Sequence, residues 1–214
     1  MVIALLISPI VPIAIFRFVA PPITPLMMIR AHQGYHIERE WVALQAISPA
    51  VLRAAIHAED NQFCDEFSGI DFDALDRQIG VWVSGGRANG ASTITMQTAP
   101  RPKKKIVRSY VRKLPELWIT PQIALLWPKH RVLEVYLNII EFGPGIFGIQ
   151  AAAQHYFHKS SSQLGVIEAT RLIAVLPDPL HSTPSNLAPR NLRRAELATL
   201  PVFVDDPAFR CARP

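Results

Sequence analysis

The chain has 214 residues, a net charge of +5 and a hydrophobic share of 50%, enough apolar side chains for one sizeable buried core. With 10 glycines and 18% charged residues, the composition argues against a largely disordered chain. The mean hydropathy of +0.19 suggests a membrane segment, and the pI near 9.5 favours an anionic partner: nucleic acid, a membrane surface or a phosphorylated substrate.

The first predicted element is an N-terminal anchor. Met1 to Phe16 carry no charged side chain, and only Arg17 interrupts an apolar run that continues to Met28. Residues 1–20 are long enough to span a bilayer if the Arg17 side chain extends to the interface. A cleaved signal peptide is disfavoured because no basic segment precedes the run and no small-residue cleavage site follows it. A buried globular segment is the remaining alternative to a transmembrane helix.

After the anchor, prolines at 21, 22 and 25 predict a semi-extended connector over residues 21–45. Ser48-Pro49 predicts the start of a helix that runs to roughly Asp60. Next come a short helix that Ser92 caps and Pro100 stops, a basic amphipathic stretch from Ile106 to about Ile119, and a short helix capped by Thr120-Pro121. A helix from about Val132 to Ile140 follows, then a loop from Gly143 to Gly148 and a helix from Ile149 to Phe157. A last core helix starts near a Ser160/Gln163 capping box and is ended by Pro177.

Because convincing strand alternation is scarce, the predicted fold class is mainly α. Residues 46–184 form the predicted domain and residues 185–214 a C-terminal tail.

Glu59 is the first candidate for chemistry. It shares a helix face with Leu52, Ala55 and Ile56, which define the apolar side of that helix. A carboxylate facing inward is costly unless it is paired or lies in a cleft, where it suits a general acid or base. A buried ion pair or a helix-end carboxylate near the surface explains the same position without any chemistry.

Cysteine and histidine suggest no metal centre. Cys64 and Cys211 lie far apart in the sequence, and two cysteines predict neither a disulfide framework nor a metal site. The histidines also lack metal-ligand spacing.

Five segments, taken together, resemble the motifs of the glycosyltransferase family 51 domain. They are residues 59–71, similar to E-D-x-x-F-x-x-H-x-G-x-D; residues 90–97, similar to G-[GA]-S-T-I-T-x-Q; residues 112–116, which fit R-K-x-x-E; residues 129–138, KHRVLEVYLN; and residues 151–157 with Glu168-Ala169. Each match is weak alone, but five in family order between about Pro22 and Pro184 are highly specific. The connector PPITPLMMIR and the absence of a following transpeptidase region indicate the monofunctional biosynthetic transglycosylase type.

The resemblance implies a lysozyme-like fold and polymerisation of lipid II into glycan strands, with inversion at the anomeric carbon. Glu59 would be the general base on the acceptor 4-hydroxyl, and undecaprenyl pyrophosphate would leave. Glu116 would be the second essential carboxylate, near the donor pyrophosphate, with a divalent metal such as Mg²⁺ or Mn²⁺. The residues it assigns to substrate binding are Asp60, Phe63, Ser92, Thr93, Gln97, Arg108, Arg112, Lys113 and Asn138.

The basic run between residues 101 and 113 has three interpretations: a solvated helix face, a contact with anionic lipid, or a pyrophosphate cradle. The resemblance assigns Arg108, Arg112 and Lys113 to phosphate, which leaves the lysine cluster at residues 103–105 facing the membrane. Nucleic acid is disfavoured because the run lacks aromatic interleaving and any binding motif. The expected partners are therefore lipid II, the growing glycan chain, membrane lipids and cell-wall synthesis proteins.

Three departures from the family pattern keep a second hypothesis open. Glu66 stands where the first motif has His, and Gly69 comes one residue late. Residues 100–103, PRPK, replace the family's Lys-Asn and an apolar pair, and Pro115 precedes Glu116 inside a helical stretch. The leading hypothesis is a membrane-anchored polymerase on the extracytoplasmic side of the cytoplasmic membrane. The alternatives are an impaired paralogue that binds lipid II without turnover, and a glycan-cleaving hydrolase.

Overall fold

The computed structural model describes residues 9–70, 93–99, 109–189, 191 and 207–212. These ranges are mainly helical with one small sheet, which confirms the predicted fold class. The helices are α1 (Ile10–Phe16), α2 (Pro25–His32), α3 (Pro49–Glu59), α4 (Ile94–Thr98), α5 (Ser109–Leu126), α6 (Lys129–Ile139), α7 (Ile149–Phe157) and α8 (Val166–Val175). Turns of 3₁₀ type occur at Leu44–Ala46, Ser161–Gln163 and Pro207–Ala212.

Local sequence signals set several helix ends as predicted. The Ser48 hydroxyl accepts a hydrogen bond from the amide of Ala50 (3.3 Å) and donates one to the carbonyl of Leu164 (2.7 Å), so it caps α3 and ties it to the α8 side of the domain. The Ser160/Gln163 capping box is present, but it opens a 3₁₀ turn. Helix α8 begins later, where the Glu168 carboxylate accepts from the amide of Gly165 (3.0 Å).

Helix α5 corrects one sequence prediction. It runs without a break from Ser109 to Leu126, so Thr120-Pro121 does not start a separate helix, and the helix continues through Pro115. Thr120 and Ile123 are buried, and α5 packs against α1, α4 and α6. Tertiary burial of this face offsets the loss of a helical hydrogen bond at Pro121, an effect that local propensity does not include.

A three-stranded sheet replaces part of the predicted loop at 143–148. Strand β2 (Glu141–Gly143) and β3 (Ile146–Phe147) form an antiparallel hairpin, and β1 (Glu38–Arg39) pairs with β3 in parallel, giving the order β1-β3-β2. The sequence signal failed here because the hairpin strands are buried on both faces and too short for alternation.

The core lies between α3 and α8, which pack most extensively, and continues through the contact of α4 with α6. The predicted connector belongs to this fold: α2 buries Met27, and Leu44 lies in the core. Arg30 of α2 forms a buried two-point ion pair with Glu141 of β2, at 2.6 and 2.9 Å. The hydrogen bonds that Arg30 donates to that carboxylate raise the pKa of its guanidinium. Residues 25–32 are therefore helical and packed, whereas the sequence predicted a semi-extended segment.

The N-terminal segment rests on the domain through its backbone carbonyls. The Trp127 indole donates to the carbonyl of Ile13 (2.7 Å), and Arg131 donates to those of Phe16 and Val19 (both 2.8 Å). Arg39 donates to the carbonyls of Pro21 and Pro22 at 2.7 and 2.9 Å. None of the helices that the structure describes is both long and apolar enough to cross a bilayer. The predicted anchor over residues 1–20 lies partly outside the described residues, which begin at residue 9.

Candidate active site

The candidate general base stands at the C-terminal end of α3. Leu52, Ala55 and Ile56 on the same helix are buried, as the sequence predicted, and they fix this face of α3 against the core. Glu59 is the last residue of the helix and is half-buried. Its carboxylate is therefore held by a rigid element at the boundary between core and solvent, where a substrate hydroxyl can approach it.

Gln97 of α4 contacts this carboxylate directly. Its side-chain amide donates a hydrogen bond to Glu59 Oε2 at 3.0 Å. This amide is a neutral donor, so the hydrogen bond orients the carboxylate without adding an opposing charge of its own. The structure thus brings together two residues that the first and second motifs place 38 positions apart.

Thr93 positions α4. Its hydroxyl accepts from the amide of Met96 (3.1 Å) as the helix cap, and it donates to the carbonyl of Gly69 (2.5 Å). Gly69 has a φ of +70°, and a Cβ there would lie 2.7 Å from the Thr95 methyl carbon. Both the backbone angle and the close approach require glycine, even though it comes one residue later than the family pattern expects.

Asp60 joins the same two motifs from the other side. It is 8% exposed, and its Oδ2 accepts from the amide of Ile94, the first residue of α4, at 3.0 Å. The sequence predicted a substrate contact for Asp60. The hydrogen bond supports a positioning role, since it sets α4, and hence Gln97, against the end of α3. The substrate contact stays a prediction.

Phe63 is fully buried, with the Lys129 ammonium 4.7 Å from the centre of its ring. Burial lowers the pKa of Lys129, and the negative charges of Glu66, Asp60 and Asp65 oppose that shift. Lys129 opens the fourth motif, yet the sequence analysis gave it no role. Its contact with the first-motif loop depends on how α6 packs, which the motif pattern does not show.

The same loop carries a disulfide. Cys64 and Cys211 are bonded to each other across a sequence separation of 147, and they fasten the loop after Glu59 to the 3₁₀ turn at Pro207–Ala212. That turn packs against α3 and α6. The sequence analysis expected no disulfide framework from two cysteines and did not predict this single bridge, because sequence distance says nothing about separation in the folded chain.

Asn138 is fully buried in α6. Its side chain accepts from the amide of Val42 (2.9 Å) and donates to the carbonyls of Val42 (2.9 Å) and Glu134 (2.8 Å). The predicted substrate-binding role is not what this geometry favours. With the side chain engaged by backbone at three points and closed from solvent, Asn138 holds the segment before α3 in place.

The structure describes the remaining predicted site residues only in part. Ser92 and Arg108 lie outside the described residues. For Arg112, Lys113 and Glu116 the structure describes the backbone alone, in the N-terminal half of α5. Among the described residues, no group of three or more His, Cys, Asp or Glu side chains is arranged to hold a metal ion. The metal at Glu116 stays a prediction.

The fold and the Glu59–Gln97 contact define a helical domain with a carboxylate oriented at the rim of its core, an arrangement suited to proton transfer. The sequence pattern of the Transglycosylase family matches residues 27–203. The chain is 46% identical over 173 residues to a biosynthetic peptidoglycan transglycosylase of Caulobacter vibrioides, covering 81% of this chain and 75% of that protein. It is 41% identical over 191 residues to the protein of the same name from Bdellovibrio bacteriovorus, covering 85% and 76%. The chain belongs to the transglycosylase family, as its motifs predicted.

Proposed function

We propose that this chain is a peptidoglycan glycosyltransferase that polymerises lipid II, with Glu59 as the general base. The Glu59 carboxylate takes the proton from the acceptor 4-hydroxyl while that oxygen bonds to the anomeric carbon of the donor. The bond from the anomeric carbon to the pyrophosphate oxygen breaks, and its electron pair leaves with undecaprenyl pyrophosphate. The observation that carries this assignment is the half-buried Glu59 carboxylate, oriented by Gln97 at 3.0 Å.

The leaving group needs positive charge, because negative charge develops on the pyrophosphate as the bond breaks. We assign this role to Arg108, Arg112 and Lys113, and we place Glu116 beside them. Arg112, Lys113 and Glu116 fall within the first half of α5, the helix that packs against α4 and therefore against the helix of Gln97. A divalent metal held at Glu116 would supply further charge neutralisation at the same phosphates.

We further propose that the catalytic domain works outside the cytoplasmic membrane, attached to it through the N-terminal segment. The Cys64–Cys211 disulfide supports this location, because such bonds persist in oxidising compartments and are rare in the cytosol. Exposed apolar side chains along the segment, among them Val11, Ile15 and Phe18, support contact with lipid.

Polymerisation of fluorescent lipid II by the full-length protein in detergent, with Mg²⁺ or Mn²⁺ present, tests the proposal. Glu59→Gln should lower the rate by about 10²–10⁴-fold, the usual contribution of a general base. Glu40→Gln removes an exposed carboxylate and is the matched control, expected to stay near wild type. A Glu59→Gln variant that polymerises at the wild-type rate would refute the assignment of the base.

An impaired paralogue is the second candidate, favoured by Glu66 at the family's His position. It predicts lipid II binding by wild type and by Glu59→Gln, with no glycan strands from either. Strand synthesis by wild type excludes it. Release of muropeptides from purified sacculi would point to a hydrolase instead.

A further inference from the structure

The C-terminal turn at Pro207–Ala212 holds the middle of the loop that follows the candidate base. Cys211 of this turn is bonded to Cys64 of the loop, and the Cys211 amide lies 3.3 Å from the Cys64 sulfur. Ala212 is 1% exposed and belongs to the hydrophobic core, and the turn packs against α3 and α6. The turn is therefore a fixed part of the domain, and the disulfide ties the loop to it.

The two ends of this loop position α4. The Asp60 carboxylate at one end and the Gly69 carbonyl at the other accept hydrogen bonds from the start of α4, at 3.0 and 2.5 Å. Gln97 of α4 in turn donates to the Glu59 carboxylate at 3.0 Å. The position of the loop therefore sets the position of the side chain that orients the base.

Between its ends the loop lies largely at the surface. Four of its side chains are exposed: Asn61, Gln62, Asp65 and Phe67. The amides of residues 63, 65 and 66 donate to carbonyls only three or four positions back, so these bonds shape the loop without fixing it to the domain. Because a segment with few buried apolar contacts opens easily, breaking the disulfide should free the middle of the loop.

Reduction can break this bond and leave the rest of the chain unchanged. The thiolate of a dithiol attacks one sulfur, the S–S bond breaks, and the released cysteine takes a proton. The second thiol of the reagent then displaces the other cysteine, so two electrons pass to the protein and the dithiol becomes a disulfide. Cys64 and Cys211 are both partly exposed, which gives such a reagent access to the bond.

We propose that the Cys64–Cys211 bond is a positioning element for the base and makes polymerisation depend on the redox state of the chain. In the oxidised protein the C-terminal turn holds the loop, α4 and Gln97 against Glu59. In the reduced protein the loop shifts, and Gln97 no longer orients the carboxylate. The inference rests on the proposed function, and a dithiol is the class of reagent that switches the enzyme.

Steady-state polymerisation of fluorescent lipid II by the oxidised and the reduced full-length protein, in detergent, tests the proposal. Reduction should lower kcat per folded molecule by about 10²-fold, the cost of misplacing a catalytic group by about 1 Å. KM should stay near the oxidised value, since the base acts on the chemical step. Reoxidation should restore the rate.

Two variants serve as controls. The Cys64→Ser/Cys211→Ser double variant should have the kcat of the reduced wild type and should not respond to reductant or oxidant. In Gln97→Ala, which lacks the contact with Glu59, reduction should change kcat little, because the bond acts through that contact.

Cross-linking the two reduced thiols separates the loss of positioning from the loss of stability. A one-carbon bridge and a long flexible bridge close the same loop of chain, so both should restore most of the free energy of unfolding. Only the one-carbon bridge keeps Cys64 beside the turn. It should retain the oxidised kcat, whereas the long bridge should give the lower kcat of the reduced protein.

A long-bridged enzyme as fast as the oxidised wild type overturns the inference, and so does an equal loss on reduction in wild type and in Gln97→Ala. In either case, polymerisation by the oxidised wild type leaves the proposed function standing. Absence of polymer from the oxidised wild type counts against the proposed function itself, and this inference falls with it.

Discussion

Breaking the Cys64–Cys211 disulfide is predicted to lower the free energy of unfolding by about 5 kcal/mol. The bond closes a loop with a sequence separation of 147, and chain-entropy theory assigns about 4.7 kcal/mol to a 100-residue loop and slightly more to this one. Since a whole domain is stable by about 5–15 kcal/mol, the reduced protein should be marginal. The physical reason is that the bond removes conformations from the unfolded chain, so its effect grows with loop length.

Chemical denaturation measures this directly. Unfolding of oxidised wild type, reduced wild type and the Cys64→Ser/Cys211→Ser double variant is followed by tryptophan fluorescence in one detergent, with Trp127 as the buried reporter. The reduced wild type and the double variant should unfold at similar, much lower denaturant concentrations. Reductant should not change the double variant, which is the control for unrelated effects of the reagent. A difference below about 1 kcal/mol between oxidised and reduced wild type would refute the reasoning.

Three further predictions concern single side chains. Asp60→Ala removes the acceptor for the Ile94 amide and should lower the free energy of unfolding by about 1–3 kcal/mol. Most of the polymerisation rate should be lost as well, and a stable variant with full activity would contradict the positioning role. Asn138→Ala leaves buried backbone groups without partners and should lower the free energy of unfolding by about 2–5 kcal/mol. The KM of the folded enzyme should stay near the wild-type value, and a large rise in KM would support the substrate-binding role. The hydrogen bond from Lys159 lowers the pKa of Glu168. The stability that this ionised carboxylate adds is therefore fully present at pH values above the ordinary carboxyl pKa, and it is lost as the pH falls through the lowered pKa of the folded state. Urea unfolding of Glu168→Gln should therefore differ from wild type by about 0.5 kcal/mol at pH 7 and by less at pH 3, and a gap that widens in acid would contradict this sign.

The helices whose ends and faces depend on neighbouring residues could be predicted from the sequence. Ser48 and Pro49 open α3, the spacing from Val132 onward indicates α6, and both helices form as expected. The motifs also placed Glu59 and Gln97 in one site, and these residues meet. Each of these predictions depends on residue types that act over a turn or two of helix, or on a pattern long enough to be specific.

The missed features depend on contacts between distant parts of the chain. Cys64 and Cys211 are brought together by the packing of the 3₁₀ turn on α3 and α6, which no local pattern encodes. Helix α5 passes Pro121 because its buried face outweighs a local breaker. Lys129 and Asn138 acquired their roles in the same way, since each acts on a segment far from it in sequence.

The hydrogen bonds that seat the N-terminal segment all end on main-chain oxygen atoms. Trp127, Arg131 and Arg39 donate to carbonyls between Ile13 and Pro22, and every amino acid supplies the same carbonyl. These three donors therefore do not distinguish between the side chains of the segment that they hold. Two side chains of the segment add contacts of their own, since Arg17 donates to the carbonyl of Leu126 (2.7 Å) and Ile13 is buried in the core. A different leader that follows the same backbone path, and that keeps an apolar residue at position 13 and a donor at position 17, would keep the attachment.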